Sequence, residues 1–206
     1  MALKIYGVAR SRAFRTLWMA KELGLDYEHV KVDFATGETR TQAHLALNPN
    51  GHIPVIDDDG FVLWESMAIN LYLAKKYSSG TLYPTRLEDE ARAWQWSFWG
   101  MTEIERAVLT ALFNRAILPE DKRDARAADD AEKQLVQPLQ VLDGALGGNA
   151  YLLGGHFTVA DLNVASILAW ARPAQIDMSS FPKMAEWLKN CAERPAARAA
   201  RQLQRE

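Results

Sequence analysis

The stretch from Asn48 to Ser66 constrains this chain more than any other. It reads Asn-Pro-Asn-Gly-His-Ile-Pro-Val-Ile, then Asp57-Asp58-Asp59-Gly60, then Phe-Val-Leu-Trp, then Glu-Ser. The turn Asn48-Pro49-Asn50-Gly51 feeds an apolar run into a sheet. Proline lacks the N–H that a central ladder needs, so Pro54 belongs at the head of its strand. A cis Ile53–Pro54 bond places it there. That arrangement leaves the backbone N–H and C=O of Ile53 open, and an extended peptide could pair with them like an added strand. Asp57 to Gly60 make a hairpin turn. The second strand, Phe61 to Trp64, ends at Glu65-Ser66, where a helical pattern begins. Ser66 therefore sits at a helix N-terminus, whose free N–H groups and dipole favour an anion. A strand-edge socket beside a carboxylate socket suits a small peptide with a carboxylate at one end.

The flanking sequence supplies a layout for this stretch. Leu3-Lys4-Ile5-Tyr6 reads as a short strand and Gly7 to Ser11 as a loop. From Arg12 the apolar residues Phe14, Leu17, Trp18 and Leu23 follow helical spacing, and Gly24 ends the helix at its C′ position. Asp26 to Val32 alternates like a strand, and Thr36 to Leu47 leads through a loop into a short helix. The order βαβ, α, ββα is a thioredoxin-like layout, a right-handed βαβ unit followed by a hairpin and a covering helix.

Ser78-Ser79-Gly80 and Tyr83-Pro84 break the pattern, which places a domain boundary there. The expected division is an α/β domain over 1–78 and an all-helical domain over 87–206. In the second, a long helix is expected from Glu88 to the Ala107–Leu118 region, where Pro119 stops it, and another from Asp124 to Leu146. Thr158 and Asp161 are spaced as an N-cap and its N3 partner, with Phe157 and Leu162 as a hydrophobic staple. The helix they open is apolar nearly all round, so Asp161 is read as the structural partner of buried N–H groups. Helices near Pro182 to Cys191 and after Pro195 complete the chain.

Composition narrows the function classes. A formal charge of -2 gives no global attraction to nucleic acid or to an anionic membrane. No apolar run approaches membrane-spanning length, and no signal peptide is visible. The single cysteine, Cys191, excludes an internal disulfide framework, fits a reducing cytosol and lies on a late helical pattern as a buried thiol. A cytoplasmic location is therefore expected.

The motif Asn-Pro-Asn-Gly-His-Ile-Pro-Val followed by Glu-Ser resembles the glutathione-binding half of the cytosolic glutathione transferases. The resemblance covers essentially the whole chain, and Ser11 with Arg15 four residues on is similar to the serine-type phi and theta members. It implies a glutathione transferase that joins the glutathione thiolate to soft, hydrophobic electrophiles in detoxification, with glutathione as co-substrate and no metal. By resemblance Ser11 is the catalytic residue, donating to the thiolate, although its position alone also fits a plain helix N-cap. Tyr6 is the alternative, because other classes use a tyrosine at the end of this strand. Arg15 is then read as structural. Arg40 and His52 match the positions that meet the glycyl end, Ile53 pairs with the peptide, and Ser66 with Glu65 meets the γ-glutamyl end. The electrophile is expected near Ala9 and Arg10 and, on a helix that holds Trp94, Trp96 and Trp99, at Phe98 and Met101. A homodimer is implied as well, with Asn50 where many members carry an aromatic plug, so its interface is expected to be more polar or differently locked. Neither nucleic acid nor membrane is an expected partner.

Two rival readings belong to the same fold. A glutathione-dependent isomerase of the maleylacetoacetate kind carries a Ser-Ser signature that Arg10-Ser11-Arg12 lacks. A non-catalytic glutathione-binding or assembly domain would bind glutathione without turning over an aryl halide. A thiol–disulfide role is disfavoured, since no cysteine occupies the start of the first helix.

Overall fold

The computed structural model describes residues 3–205. They divide into two units, one formed by 3–84 together with 193–205 and the other by Thr85–Ala192.

The first unit opens with β1 (Leu3–Tyr6), α1 (Ala13–Glu22) and β2 (Tyr27–Val30). A 3-10 turn (Glu38–Arg40) and α2 (Gln42–Leu47) lead to the hairpin β3 (Val55–Asp58) and β4 (Phe61–Trp64), then α3 (Ser66–Tyr77). The sheet order is β2-β1-β3-β4, with β1 and β2 parallel and the other pairs antiparallel. This is the expected βαβ unit, hairpin and covering helix. Ile5 and Ile56 are cross-strand partners, and they share a buried core with Phe14, Leu17, Ile69 and Leu73. Gly24 at φ +62° ends α1 as expected. Leu25 N–H bonds the Ala20 carbonyl at 3.0 Å and Gly24 N–H that of Lys21 at 3.2 Å, a Schellman arrangement that satisfies two orphan carbonyls.

The C-terminal residues differ from the sequence reading, which placed all of 87–206 in the helical domain. In the structure α9 (Pro195–Gln202) packs on α1 within the first unit. The reason lies in two local features. Ala197 and Ala200 are fully buried, and side chains that small let two helices approach closely. Arg194 then forks onto the Glu22 carboxylate at 2.7 and 2.8 Å, where Trp18 Nε1 also donates at 2.9 Å.

The second unit is helical. α4 (Leu87–Trp99) runs through a π-helical turn (Gly100–Ile104) into α5 (Glu105–Leu112), and a second π turn (Phe113–Ile117) precedes Pro119. The expected single long helix is thus interrupted twice. The first interruption starts at Gly100, where a Cβ would lie 2.9 Å from Ile167 Cδ1. α6 (Ala125–Ala145) is capped by Asp124, which accepts from Ala127 N–H at 3.0 Å. α7 (Val159–Leu168) is buried along its whole length and packs against α4 and α5, and α8 (Pro182–Glu193) follows. The capping box of Thr158 and Asp161 is present. Among the described residues no helix is long and apolar enough to cross a membrane.

Candidate functional site

Strand register places the candidate residues at one end of the sheet. Tyr6 of β1 pairs with Val55 of β3, and Val55 with Trp64 of β4. With strands about 4.8 Å apart, that row spans roughly 10 Å. The loop to Ser11 leaves from Tyr6, Ile53-Pro54 enters at Val55, and Glu65-Ser66 follows Trp64. Local sequence shapes each of these three corners.

At the middle corner the Ile53–Pro54 bond is cis, and the strand begins one residue later at Val55. The N–H and C=O of Ile53 form no hydrogen bond with the other described residues. The carbonyl of His52 is held instead, by Asn48 Nδ2 at 2.9 Å and His44 Nε2 at 3.0 Å. The peptide before Ile53 is therefore braced from behind while the pairing edge of Ile53 stays free. Gly7 makes this possible, because a Cβ there would lie 2.9 Å from both Ala13 Cβ and Ile53 Cβ, and its φ of +129° suits glycine alone.

At the first corner Ser11 is half-buried. Its hydroxyl donates to the Val8 carbonyl at 2.7 Å and accepts from Ala13 N–H at 3.1 Å. The bond to Val8 and an outward donor role share one proton. Turning it toward a bound anion exchanges the Val8 bond and leaves the Ala13 bond in place. Tyr6 ends β1 with its side chain on the face opposite Ile5. Arg10 is committed to Asp33 at 2.5 Å and stacks on Phe34 at 5.6 Å from the ring centre. The Ala35 N–H, with Arg10 beside it, holds the Asp33 carboxyl below the usual carboxylate range.

At the third corner Glu65 is exposed and adopts φ +74°, and its carbonyl accepts the first helical bond from Ile69 at 2.9 Å. That unusual backbone turns the chain sharply from β4 into α3. Ser66, almost fully buried, accepts at Oγ from Arg15 Nη1 at 3.2 Å. On the flank of Ile53, Arg40 Nη1 donates to the Asn50 carbonyl at 3.2 Å, and a Cβ on Gly51 would lie 2.6 Å from that nitrogen. Arg40 and His52 are both exposed, with the Asn50-Gly51 turn against Arg40.

The residues expected at the electrophile divide between the units. Ala9 and Arg10 line a cavity of about 270 Å³ in the first unit, together with His29, Lys31, Asp33 and Gln204. Phe98 on α4 is 63% exposed, and Met101 stands in the first π turn, both in the second unit.

The arrangement offers an unpaired strand edge, a helix N-terminus with a buried guanidinium behind it, and an exposed arginine on the other flank. Such a cradle can hold an extended peptide with an anion at each end. Sequence reasoning missed two contributors. Gly7 was a loop glycine without a stated contact, and its signal would have been its place between a strand and the residue facing proline. Arg15 was read as structural, yet it reaches Ser66. An arginine among Phe14, Leu17 and Trp18 on one helix was the signal for its burial.

Comparison with known proteins comes to the same region. Residues 1–75 match the family model "Glutathione S-transferase, N-terminal domain" and residues 103–195 match "Glutathione S-transferase, C-terminal domain". The chain is 35% identical over 201 residues to glutathione S-transferase 3 of Zea mays, covering 94% of this chain and 90% of that protein. It is 29% identical over 186 residues to the glutathione S-transferase GstB of Escherichia coli (strain K12), covering 89% of each. A theta class glutathione S-transferase from Xanthomonas axonopodis pv. citri, solved with glutathione bound, superposes with a TM-score of 0.90 at 31% identity, over 96% of each chain.

Proposed function

The chain belongs to the glutathione S-transferase family, and from that premise we propose that it activates the glutathione thiol at Ser11 and conjugates it to soft electrophiles. The observation that carries this reading is the free backbone edge of Ile53, set beside Ser66 on one side and Arg40 on the other. The cysteinyl backbone of glutathione pairs with Ile53. The γ-glutamyl carboxylate meets the hydroxyl and N–H of Ser66, with Glu65 toward the α-amine. The glycyl carboxylate meets Arg40 and His52. With both ends held, the sulfur falls toward the start of α1.

There the chemistry is a matter of charge. A free thiol has a pKa near 8.5, so about 3% is thiolate at pH 7. Lowering that pKa by about two units takes about 2.7 kcal/mol of preferential stabilisation of the anion. One hydrogen bond to the charged sulfur, with the amide dipoles opening α1, supplies that amount. The electrophile lies beside Ala9 and Arg10. The enzyme acts in cytoplasmic detoxification as a homodimer. Asn50, where an aromatic plug is common, is already spent on the turn that fixes Arg40: it is exposed, and its N–H bonds Asn48 Oδ1 at 3.0 Å.

The test is the thiolate absorbance of bound glutathione against pH. Ser11→Ala should raise that pKa by about one to two units and leave glutathione affinity within a few-fold. Turnover below the pKa should fall roughly ten- to hundred-fold, with the deficit shrinking at high pH. Tyr6→Phe should do much less. A titration that moves with Tyr6→Phe and not with Ser11→Ala transfers the role to the tyrosine.

A further inference from the structure

Arg15 is the largest polar side chain that the first unit buries completely. It lies within α1, one turn beyond Ser11, and its Nη1 donates to Ser66 Oγ at 3.2 Å. A guanidinium stays protonated and has no acceptor, so this bond has one possible direction. Ser66 must be the acceptor. A hydroxyl carries a single proton, and with its lone pair given to Arg15 that proton remains for a second partner. No hydrogen bond in which Ser66 Oγ donates occurs among the described residues. We propose that Arg15 is a positioning residue that fixes the polarity of Ser66, so that the hydroxyl donates to the γ-glutamyl α-carboxylate of glutathione. The inference rests on the glutathione reading above and adds a residue and a role to it.

Two features make this more than a packing contact. Arg15 is shielded from water, so its charge is weakly screened and reaches the carboxylate through the hydroxyl it polarises. A second link between α1 and α3 does not depend on the guanidinium. Asn70 Nδ2 donates at 3.4 Å to the backbone carbonyl of Arg15, which any substituent at this position retains. Replacing the side chain therefore removes the proton-directing group and keeps this second helix-to-helix bond.

The experiment compares two ligands by calorimetry, glutathione and γ-aminobutyryl-cysteinyl-glycine, which keeps the amine and lacks the α-carboxylate. Wild type should prefer glutathione by about ten- to hundred-fold, the worth of charge-assisted hydrogen bonds. Arg15→Gln should weaken glutathione by about ten-fold and leave the analogue within about two-fold, so the preference collapses. Arg15→Lys, which retains a cation and a donor, should restore part of it. Ser66→Ala should show the same ligand-selective loss, and adding Arg15→Gln to it should cost little more. A merely structural role would weaken both ligands together, and that outcome overturns the proposal, as does an unchanged preference in Arg15→Gln. Should neither Arg15 variant fold, Ser66→Ala decides, since an equal loss on both ligands removes the hydroxyl–carboxylate bond on which the role of Arg15 depends. If wild type binds neither ligand, the glutathione reading itself falls, and this inference with it.

Discussion

Each unit buries one aspartate among several donors, and the two are satisfied in different ways. Asp58, at the far end of β3 from the site, receives Lys76 Nζ at 2.7 Å and the hydroxyls of Tyr72 and Tyr77 at 2.9 Å. Asp161, at the start of α7, receives the N–H of Leu152 at 2.8 Å, the N–H and hydroxyl of Thr158 at 2.9 and 3.0 Å, and Trp187 Nε1 at 2.9 Å. Burial pushes both carboxyl groups up. At Asp58 the bonds from Lys76 and the two tyrosines outweigh it and the pKa falls below the ordinary value. At Asp161 every donor is neutral, and burial prevails. The number of hydrogen bonds does not decide the sign; the deeper burial of Asp161 and the cation among the donors of Asp58 both separate the two. The donors also differ in freedom. Those of Asp58 are long side chains of α3 with heads near water, and Lys76 is 36% exposed. Two of those at Asp161 are backbone groups fixed in place.

The largest test of that contrast is Asp161→Ala. It strands four buried donors, and about 3 kcal/mol or more of stability should be lost, a fall of about 6–12 °C in Tm. Glutathione affinity of the folded fraction should stay unchanged. A loss below about 1 kcal/mol would erase the distinction between fixed and mobile donors. Asp58→Asn should cost less, about 1 kcal/mol by denaturant unfolding, because Lys76 and both tyrosines can turn to solvent. Should it cost as much as Asp161→Ala, mobility of the donors is not what separates the sites.

The smallest effect is in pH. The Asp58 carboxyl is depressed in the folded state, so its contribution is complete above the ordinary carboxylate pKa of about 3.9 and is lost as pH falls through the lower folded value. The stability gap between wild type and Asp58→Asn should therefore close on acidification below about pH 4. Asp161 has the opposite sign. Its folded pKa is raised, the native state binds the proton more tightly, and stability from this group is gained as pH falls toward about 3.9. The gap between wild type and Asp161→Asn should widen over that range. Matching trends at the two positions would contradict the assigned directions.

Much of this was legible wherever one residue type admits one geometry. Pro54 at the head of an apolar run announced the cis bond, Gly24 the end of α1, and Thr158 with Asp161 the capping box. The site was legible in outline, because its corners are made by backbone-dictating residues next to one another in sequence. What escaped depends on distant partners. Nothing near Asp161 names Leu152 or Trp187 as donors to it. Alanines at 197 and 200 do not say which helix they will meet, so α9 was assigned to the wrong neighbours. Ser11 shows where a hydroxyl stands and not that Val8 already holds its proton. Gly100 reads as a tolerated helical glycine until Ile167 is brought against it.

The attachment of α9 to α1 has a consequence for the order of events at the ribosome. The first unit lacks its closing helix until the whole of 85–192 has been made. At about 5–20 residues per second that is a delay of roughly 5–20 s. During it the surface of α1 that Ala197 and Ala200 will cover, and the buried carboxylate of Glu22, face the nascent environment uncovered. A domain that begins the chain is thus among the last to be completed, and chaperone dependence during synthesis should respond to substitutions at Arg194 more than to those at the exposed end of α4.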